Sequence, residues 1–491
     1  MTTTAVHYET VIGLEVHAQL LTRSKMFCPC PVPSLESAPN THVCPVCLGM
    51  PGMLPVINKE AVELTIMAGL ALNCEIPAEA KFDRKNYHYP DLMKGYQISQ
   101  YDLPLCKGGW LDIEVEGRTK RIGITRVHLE EDTARSLHVT NEAGESYSLI
   151  EVNRAGMPLM EIVSEPDVRS AEEARAYLQK LRQVLRYIGA SRANMDEGNM
   201  RCEPNVSIRP LGTEPFGQKV ELKNINSFKH AYDAIKFEEK RQAEVLGSGG
   251  RIVQETRGWR EDINQSVSQR IKEYADDYRY FPEPDLPTLT ISREWLAQIR
   301  SRLPELPHAK HARFIDQYGL SDYDTRILVE GRARADFFEA AVLLKHDTPQ
   351  RAKTVANWMN GDFARLLHVS GTEIEKSGVT PEALSQLIDL IEDGTISGKT
   401  AKNVFEDVFN TGKMPAKVVE AAGLTQITSG DAIAESVARV IQDNPKAVDD
   451  YRGGKEEAIK FLVGQVMRET RGRAKPEVIT QILREKLGAG P

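Results

Sequence analysis

ETVIGLEVHAQL, residues 9–20, alternates with a period of two. Ile12, Leu14, Val16, Ala18 and Leu20 fall on one side, while Glu15, His17 and Gln19 fall on the other. Side chains two apart in a strand point the same way, so Val11–Leu20 reads as a strand with an apolar face and an ionisable face. Two distant segments repeat the pattern. Arg121–Glu131 sets Arg126, His128 and Glu130 on one face, and Met200–Arg209 sets Arg201, Glu203, Asn205 and Ser207 opposite Cys202, Val206 and Ile208. Ala171–Ile188 has helical spacing between them. Strands with one buried face suit an antiparallel sheet, and an α+β fold with a large, mostly antiparallel sheet is expected. Near residue 290 the strand signals thin out and helical spacing takes over. Three domains are expected: 1–293 with the sheet, 294–410 helical, and 411–491 a small helical tail. Ser321-x-x-Asp324 reads as a capping box, and Pro476 as a first-turn residue. In the tail, Ile433, Val437, Val440 and Ile441 form one stripe, and Ala458, Ile459, Leu462, Val463, Val466 and Met467 a second.

At 491 residues the chain exceeds one compact core. Hydrophobic residues are 41% and charged residues 27%, ordinary for a globular protein. No apolar run approaches the roughly 20 residues a membrane helix needs. The opening MTTTAVHYETVIGLEVHAQL lacks the basic flank and apolar core of a secretory signal, so a cytoplasmic location and no membrane partner are expected. A net charge of −8 argues against a general nucleic-acid coat but leaves room for a local basic surface. Tyr451–Gly490 is such a stretch, with nine Lys/Arg against five Glu. It suits contact with an RNA backbone, or is an ordinary amphipathic surface.

Four of the seven cysteines cluster as Cys28-Pro-Cys30 and Cys44-Pro-Val-Cys47. Two close pairs can supply four thiolates to a tetrahedral, closed and therefore structural Zn²⁺ site. The other readings are four unrelated buried cysteines or a redox dithiol, and His42 is a weaker alternative ligand. Elsewhere, Glu15 with His17, His128 with Glu130 and Glu131, Glu161, and Glu221 with Lys223 sit in strand patterns. Carboxylates converging from several strands suit Mg²⁺ and phosphoryl transfer, although each alone fits a solvated strand face. KFDRKNYHYPDLMKGYQISQY, residues 81–101, interleaves Tyr87 and Tyr89 with Arg84 and Lys85. Such a mixture can stack a base and hold phosphate, or pack as an aromatic turn. No P-loop, dinucleotide fingerprint or nucleophile elbow occurs.

ETVIGLEVHAQL, KFDRKNYHYPD, KGYQISQYD, RIGITRVHLEEDTARS, LMEIVSEPD, VELKNINSF and DDYRYFPEPD together resemble the B-subunit family of the bacterial tRNA-dependent aspartyl/glutamyl amidotransferases, in family order through about residue 290. The rest is similar to that family's helical and tail domains. The resemblance implies a heterotrimer with an amidase-type A subunit, which makes ammonia from glutamine, and a small C subunit. The expected activity is that of a ligase. The side chain of misacylated Asp-tRNA(Asn), Glu-tRNA(Gln) or both is phosphorylated by ATP and then amidated. Cofactors implied are ATP, Mg²⁺ and a structural Zn²⁺. Glu15, His17, Lys85, Glu130 and Glu161 are the expected catalytic residues, the four other than Lys85 also holding Mg²⁺. Arg84, Tyr87, Tyr89, His128, Glu131, Glu221, Lys223 and Asn224 are expected to bind substrate or nucleotide. A non-catalytic tRNA-binding scaffold and a stand-alone small-molecule ammonia ligase are the competing readings.

Overall fold

The structure is a computed structural model describing residues 7–34, 36–271, 278–345, 349–424, 430–470 and 474–488. The chain divides into two compact units, 1–306 and 307–491. In order, the first contains β1 (Tyr8–Gln19), α1 (Lys59–Ala71), β2 (Glu79–Ala80), β3 (Asp83–Asn86), β4 (Tyr96–Ser99), β5 (Cys106–Val115), β6 (Arg118–Glu131), β7 (Arg135–Thr140), β8 (Ser146–Glu151), β9 (Pro158–Ser164), α2 (Ala171–Tyr187), β10 (Met200–Pro210), β11 (Val220–Lys223), α3 (Phe228–Gly247), β12 (Glu255–Arg260), β13 (Gln265–Ile271), β14 (Phe281–Pro282), β15 (Leu289–Thr290) and α4 (Arg293–Ser301).

Eight strands form one sheet in the order β13-β12-β11-β10-β1-β9-β6-β5. Only the β11–β12 pair is parallel, so the expected mostly antiparallel sheet is present. β1 is central, and Ile12, Leu14, Val16 and Ala18 are fully buried. Their face packs with residues of α1, α2 and α3 in one continuous core that includes Val62, Ile66, Leu178, Leu181 and Ile235. The helices cover that face because their apolar stripes need burial as much as the sheet does. Ser170 and Ser227 begin α2 and α3 by accepting the Glu173 and His230 N–H groups at 3.1 and 3.0 Å.

β6 carries a local irregularity that sets the other face. Its register against β9 shifts between Ile124 and Arg126, leaving Thr125 as an extra residue. Before this bulge the strand gives Ile122 and Ile124 to the apolar core; after it, Val127 and Leu129. The bulge thus reverses the parity and aims Arg126, His128 and Glu130 away from the apolar core.

α4 packs on α1 and buries Ile299 in the first unit's core, with Trp295 Nε1 donating to Glu63 at 2.9 Å. The first unit accordingly runs to Leu306. The second unit is helical throughout its described residues: α5 (Pro307–Tyr318), α6 (Asp322–Leu328), α7 (Arg332–Leu343), α8 (Pro349–Trp358), α9 (Ala364–Ser370), α10 (Pro381–Glu392), α11 (Gly398–Thr411), α12 (Pro415–Ala421), α13 (Gly430–Asp443), α14 (Pro445–Arg452), α15 (Glu457–Glu469) and α16 (Pro476–Leu487). Ser321 caps α6 by accepting the Asp324 N–H, and Pro476 opens α16. α12 packs on α10 and α11, whereas α13–α16 share a core of their own around Val437, Leu462, Val466, Ile479 and Leu483. No helix among the described residues is long and apolar enough to cross a membrane.

Candidate active site and metal centre

Strand pairing assembles the ionisable face into rows. His17 lies between Arg201 of β10 and Glu161 of β9, and Glu161 in turn faces His128 of β6. One row along, Glu15 faces Glu203 of β10. Asn205 faces Glu221 of β11 and donates to Glu15 at 3.0 Å.

Two potential cation positions result. His17, Glu130 and Glu161 form the first, with ligand atoms within 4.8 Å of one another. His17 Nε2 is 3.3 Å from Glu161 and 3.6 Å from Glu130, and His128 Nε2 is 3.4 Å from Glu161. Burial opposes charge on His17, but Glu161 and Glu130 outweigh it and hold its pKa up to about 9. Burial likewise opposes the Glu161 carboxylate, which His128 and His17 keep well below the usual range. Arg126 Nε donates to His128 Nδ1 at 3.3 Å, and Ser99 Oγ to Glu130 at 3.4 Å. The second position is Glu15, Glu203 and Glu221, again within 4.8 Å. Burial and then repulsion from Glu161, Glu203 and Glu221 raise the Glu15 pKa, the signature of carboxylates that a cation would relieve. Lys223 lies 3.1 Å from Glu203 and 3.6 Å from Glu221. Carboxylate oxygens converging in this way fit a hard divalent ion.

Lys85 approaches the first cluster from β3. Its burial is outweighed by Glu130 above all, which raises its pKa above the ordinary lysine range. Its ammonium lies 4.9 Å from the Tyr278 ring centre. Tyr278 meets Tyr87 edge-on at 6.0 Å, and Tyr280 stacks on Tyr101 at 4.3 Å. Tyr87 also borders Tyr89, which is largely exposed. A wall of aromatic rings thus stands beside the carboxylates. Asn224, at the left-handed φ of 62° after β11, edges a cleft of about 570 Å³ with Asn226, His230, Trp259 and Arg260.

Other expected residues are occupied differently. Arg84 grips Glu283 through two hydrogen bonds of 2.7 and 2.8 Å and covers the Tyr96 ring, fastening β14 to β3. Glu131 points the opposite way from Glu130, pairs with Lys94 and accepts the Ile98 N–H at 3.0 Å. It borders a separate cavity of about 300 Å³ that also reaches Cys28 and Cys47.

The four cysteines converge with Sγ atoms within 4.8 Å of one another. Cys44 and Cys47 Sγ are 3.9 Å apart, close to the roughly 3.8 Å edge of a tetrahedron with 2.3 Å Zn–S bonds. A hydrogen bond from Cys28 favours the Cys47 thiolate and pulls its pKa down to about 4, while the same bond pushes Cys28 up. This donor set fits zinc. His42 instead bonds the Pro31 carbonyl at 3.2 Å and is not in the cluster.

The sequence puts Glu203 and Asn205 on the polar face of their strand without placing them in the site. It misses Ser99, Thr256, which donates to Glu221 at 2.7 Å, and Asp132, which binds Arg201 at 3.0 Å. Strand register is the signal that would have found them: Glu203 stands directly across from Glu15.

Residues 10–297 match the GatB/GatE catalytic domain family, and residues 336–487 match the GatB domain family. The B subunit of the aspartyl/glutamyl-tRNA(Asn/Gln) amidotransferase of Carboxydothermus hydrogenoformans is 54% identical over 480 residues, covering 98% of this chain and 99% of that protein. Its counterpart in Dehalococcoides mccartyi is 53% identical and that in Thermomicrobium roseum 54%, each over 98% of this chain and 99% of the relative. With a sheet whose ionisable face is built from β1, β6, β9 and β10, and with similarity running through both units, the chain belongs to the B-subunit family of the aspartyl/glutamyl-tRNA(Asn/Gln) amidotransferases.

Proposed function

We propose that this chain performs the kinase and amidation steps on misacylated Asp-tRNA(Asn), Glu-tRNA(Gln) or both, receiving ammonia from an amidase-type A subunit in a heterotrimer completed by a small C subunit. The observation carrying this reading is the meeting of His17, Glu130 and Glu161, from three strands, within 4.8 Å. A scaffold gains nothing from carboxylates clustered where RNA phosphates approach.

A carboxylate does not accept ammonia directly, because an oxide or hydroxide would have to leave. Transfer of the γ-phosphoryl group from ATP makes an acyl phosphate and ADP; ammonia attacks the acyl carbon and inorganic phosphate departs. Mg²⁺, held by His17, Glu130 and Glu161 and at a second position by Glu15, Glu203 and Glu221, would neutralise phosphate charge. Lys85 presents a permanent cation to the same oxygens. His128, fixed by Arg126, holds Glu161 in its ionised form. Asn224 borders the cleft on the β11 side, to which the nucleotide is assigned, and Lys223, one residue before it, presents a cation beside Glu203 and Glu221. Tyr87, Tyr89, Tyr278 and Tyr280 provide stacking surfaces for the tRNA end and exclude water from the intermediate. Zn²⁺ on Cys28, Cys30, Cys44 and Cys47 would tie the loop together, a closed set with no position for substrate. Residues 1–293 are assigned the chemistry, 294–410 a helical connection, and 411–491 tRNA recognition. An aminoacylated-tRNA substrate fits a cytoplasmic location.

The test is the reconstituted complex supplied with free ammonia and each misacylated tRNA. ATP hydrolysis and amidation should both require the tRNA, and Glu161→Gln should abolish both while tRNA stays bound. Undiminished ATP hydrolysis by Glu161→Gln would favour the scaffold reading.

A further inference from the structure

Lys25 is only 1% exposed, and its ammonium has no hydrogen-bond partner in the described structure. Lysine is almost never buried so fully unless paired, since an isolated ammonium in an apolar setting is strongly disfavoured. Its surroundings point to one kind of partner. The Lys25 N–H donates to the Cys30 carbonyl at 3.0 Å. Its side chain then runs over Gly156, beside Cys47. A β-carbon at Gly156 would lie 3.6 Å from both Lys25 Cδ and Cys47 Cβ. The two carboxylates lining the adjoining cavity, Glu131 and Asp285, are engaged by Lys94 and Arg84. Four thiols are neutral while protonated. A divalent metal displaces their four protons, and the resulting tetrathiolate centre carries a net charge of about −2.

We propose that Lys25 is the buried counter-charge of the four-cysteine centre, so that its ammonium offsets part of the negative charge of the metal–thiolate complex and zinc retention depends on the pair. This rests on the reading of the four cysteines as a zinc site. The same positive charge is among the influences that favour the Cys47 thiolate against the opposing effect of burial, after the hydrogen bonds from Cys28 and the Cys44 backbone. Lys25 is a positioning residue: it touches no substrate, and its effect is on metal affinity. Outer partners of metal ligands set affinity by about tenfold to a hundredfold.

The experiment measures zinc affinity of the full-length chain by competition with a chromogenic chelator, alongside Tm with and without zinc. Lys25→Met keeps the methylene stem and removes the charge; Lys25→Gln is a second neutral replacement, and Lys25→Arg keeps the charge. Both neutral variants should bind zinc about tenfold or more weakly, and Lys25→Arg should stay within a few-fold of wild type. The rise in Tm on adding zinc should shrink in Lys25→Met, whose zinc-free form no longer buries a lone charge. Wild-type zinc affinity in a folded neutral variant would overturn the proposal alone, as would equal weakening in Lys25→Arg. A wild-type chain that takes up no zinc would overturn the zinc reading itself, and the proposal with it.

Discussion

Glu15 and His17 are two apart on one strand face but serve different neighbours. His17 joins Glu130 and Glu161, whereas Glu15 joins Glu203 and Glu221. Glu15 is crowded by like charges that raise its pKa, so Glu15→Gln keeps its shape and removes repulsion. Its Tm is expected to match or exceed wild type, while kcat for tRNA-dependent ATP hydrolysis and amidation falls about 100-fold or more. Loss of charge stabilisation at a transferring phosphoryl group acts at that scale. tRNA binding should stay near normal, and free ammonia in place of glutamine should not rescue the variant. Full rescue by ammonia would place Glu15 on the ammonia route instead. His17→Ala should behave similarly in rate. It also leaves Glu161 and Glu130 without the imidazole between them, so its Tm should fall; an unchanged Tm would show that the charge pairing contributes little to stability.

At the scale of elements, the central strand was legible because both its faces obey one period. β1, β6, β10 and α2 are found close to the expected spans. β5 (CKGGWLDIEV) and β13 (QSVSQRI) were not anticipated, since glycines in the first and polar residues in the second blur the alternation. The bulge at Thr125 cannot be seen in a hydrophobicity pattern, yet it decides which side His128 and Glu130 face. The second cation position was invisible for another reason. Asn205 and Glu15 are 190 residues apart in sequence and meet only through β1–β10 register. The cysteine loop, by contrast, was fully written in local spacing, and all four sulfurs converge. Cys44→Ser should therefore lower zinc content and reduce Tm by a few degrees, while turnover per folded molecule is kept. A stable, zinc-free Cys44→Ser protein that had lost its chemistry would contradict a structural role for the loop.

For the whole molecule, chemistry and tRNA recognition are expected to be separable by truncation. The ionisable face lies wholly in the first unit, and α13–α16 bury their own core. α12 packs on α10 and α11, so ending the chain after Leu424 removes the tail helices without cutting into the helices that precede them. Tyr451–Gly490 carries four more cations than anions in a chain of net charge −8, and no carboxylate–histidine cluster among the described residues lies there. A tail that contributes phosphate contacts adds affinity for all tRNAs and steepens the salt dependence of binding. The truncated chain, assembled with its partner subunits, should show a KM for misacylated tRNA raised about tenfold, with kcat at saturating tRNA nearly unchanged. The salt dependence of its KM should be shallower than that of the full chain. Glutaminase activity of the amidase-type partner measured without tRNA should be retained, since it draws nothing from the tail. An unchanged KM would remove the tail from tRNA recognition; a collapse of kcat with KM intact would instead tie it to the chemistry of the first unit.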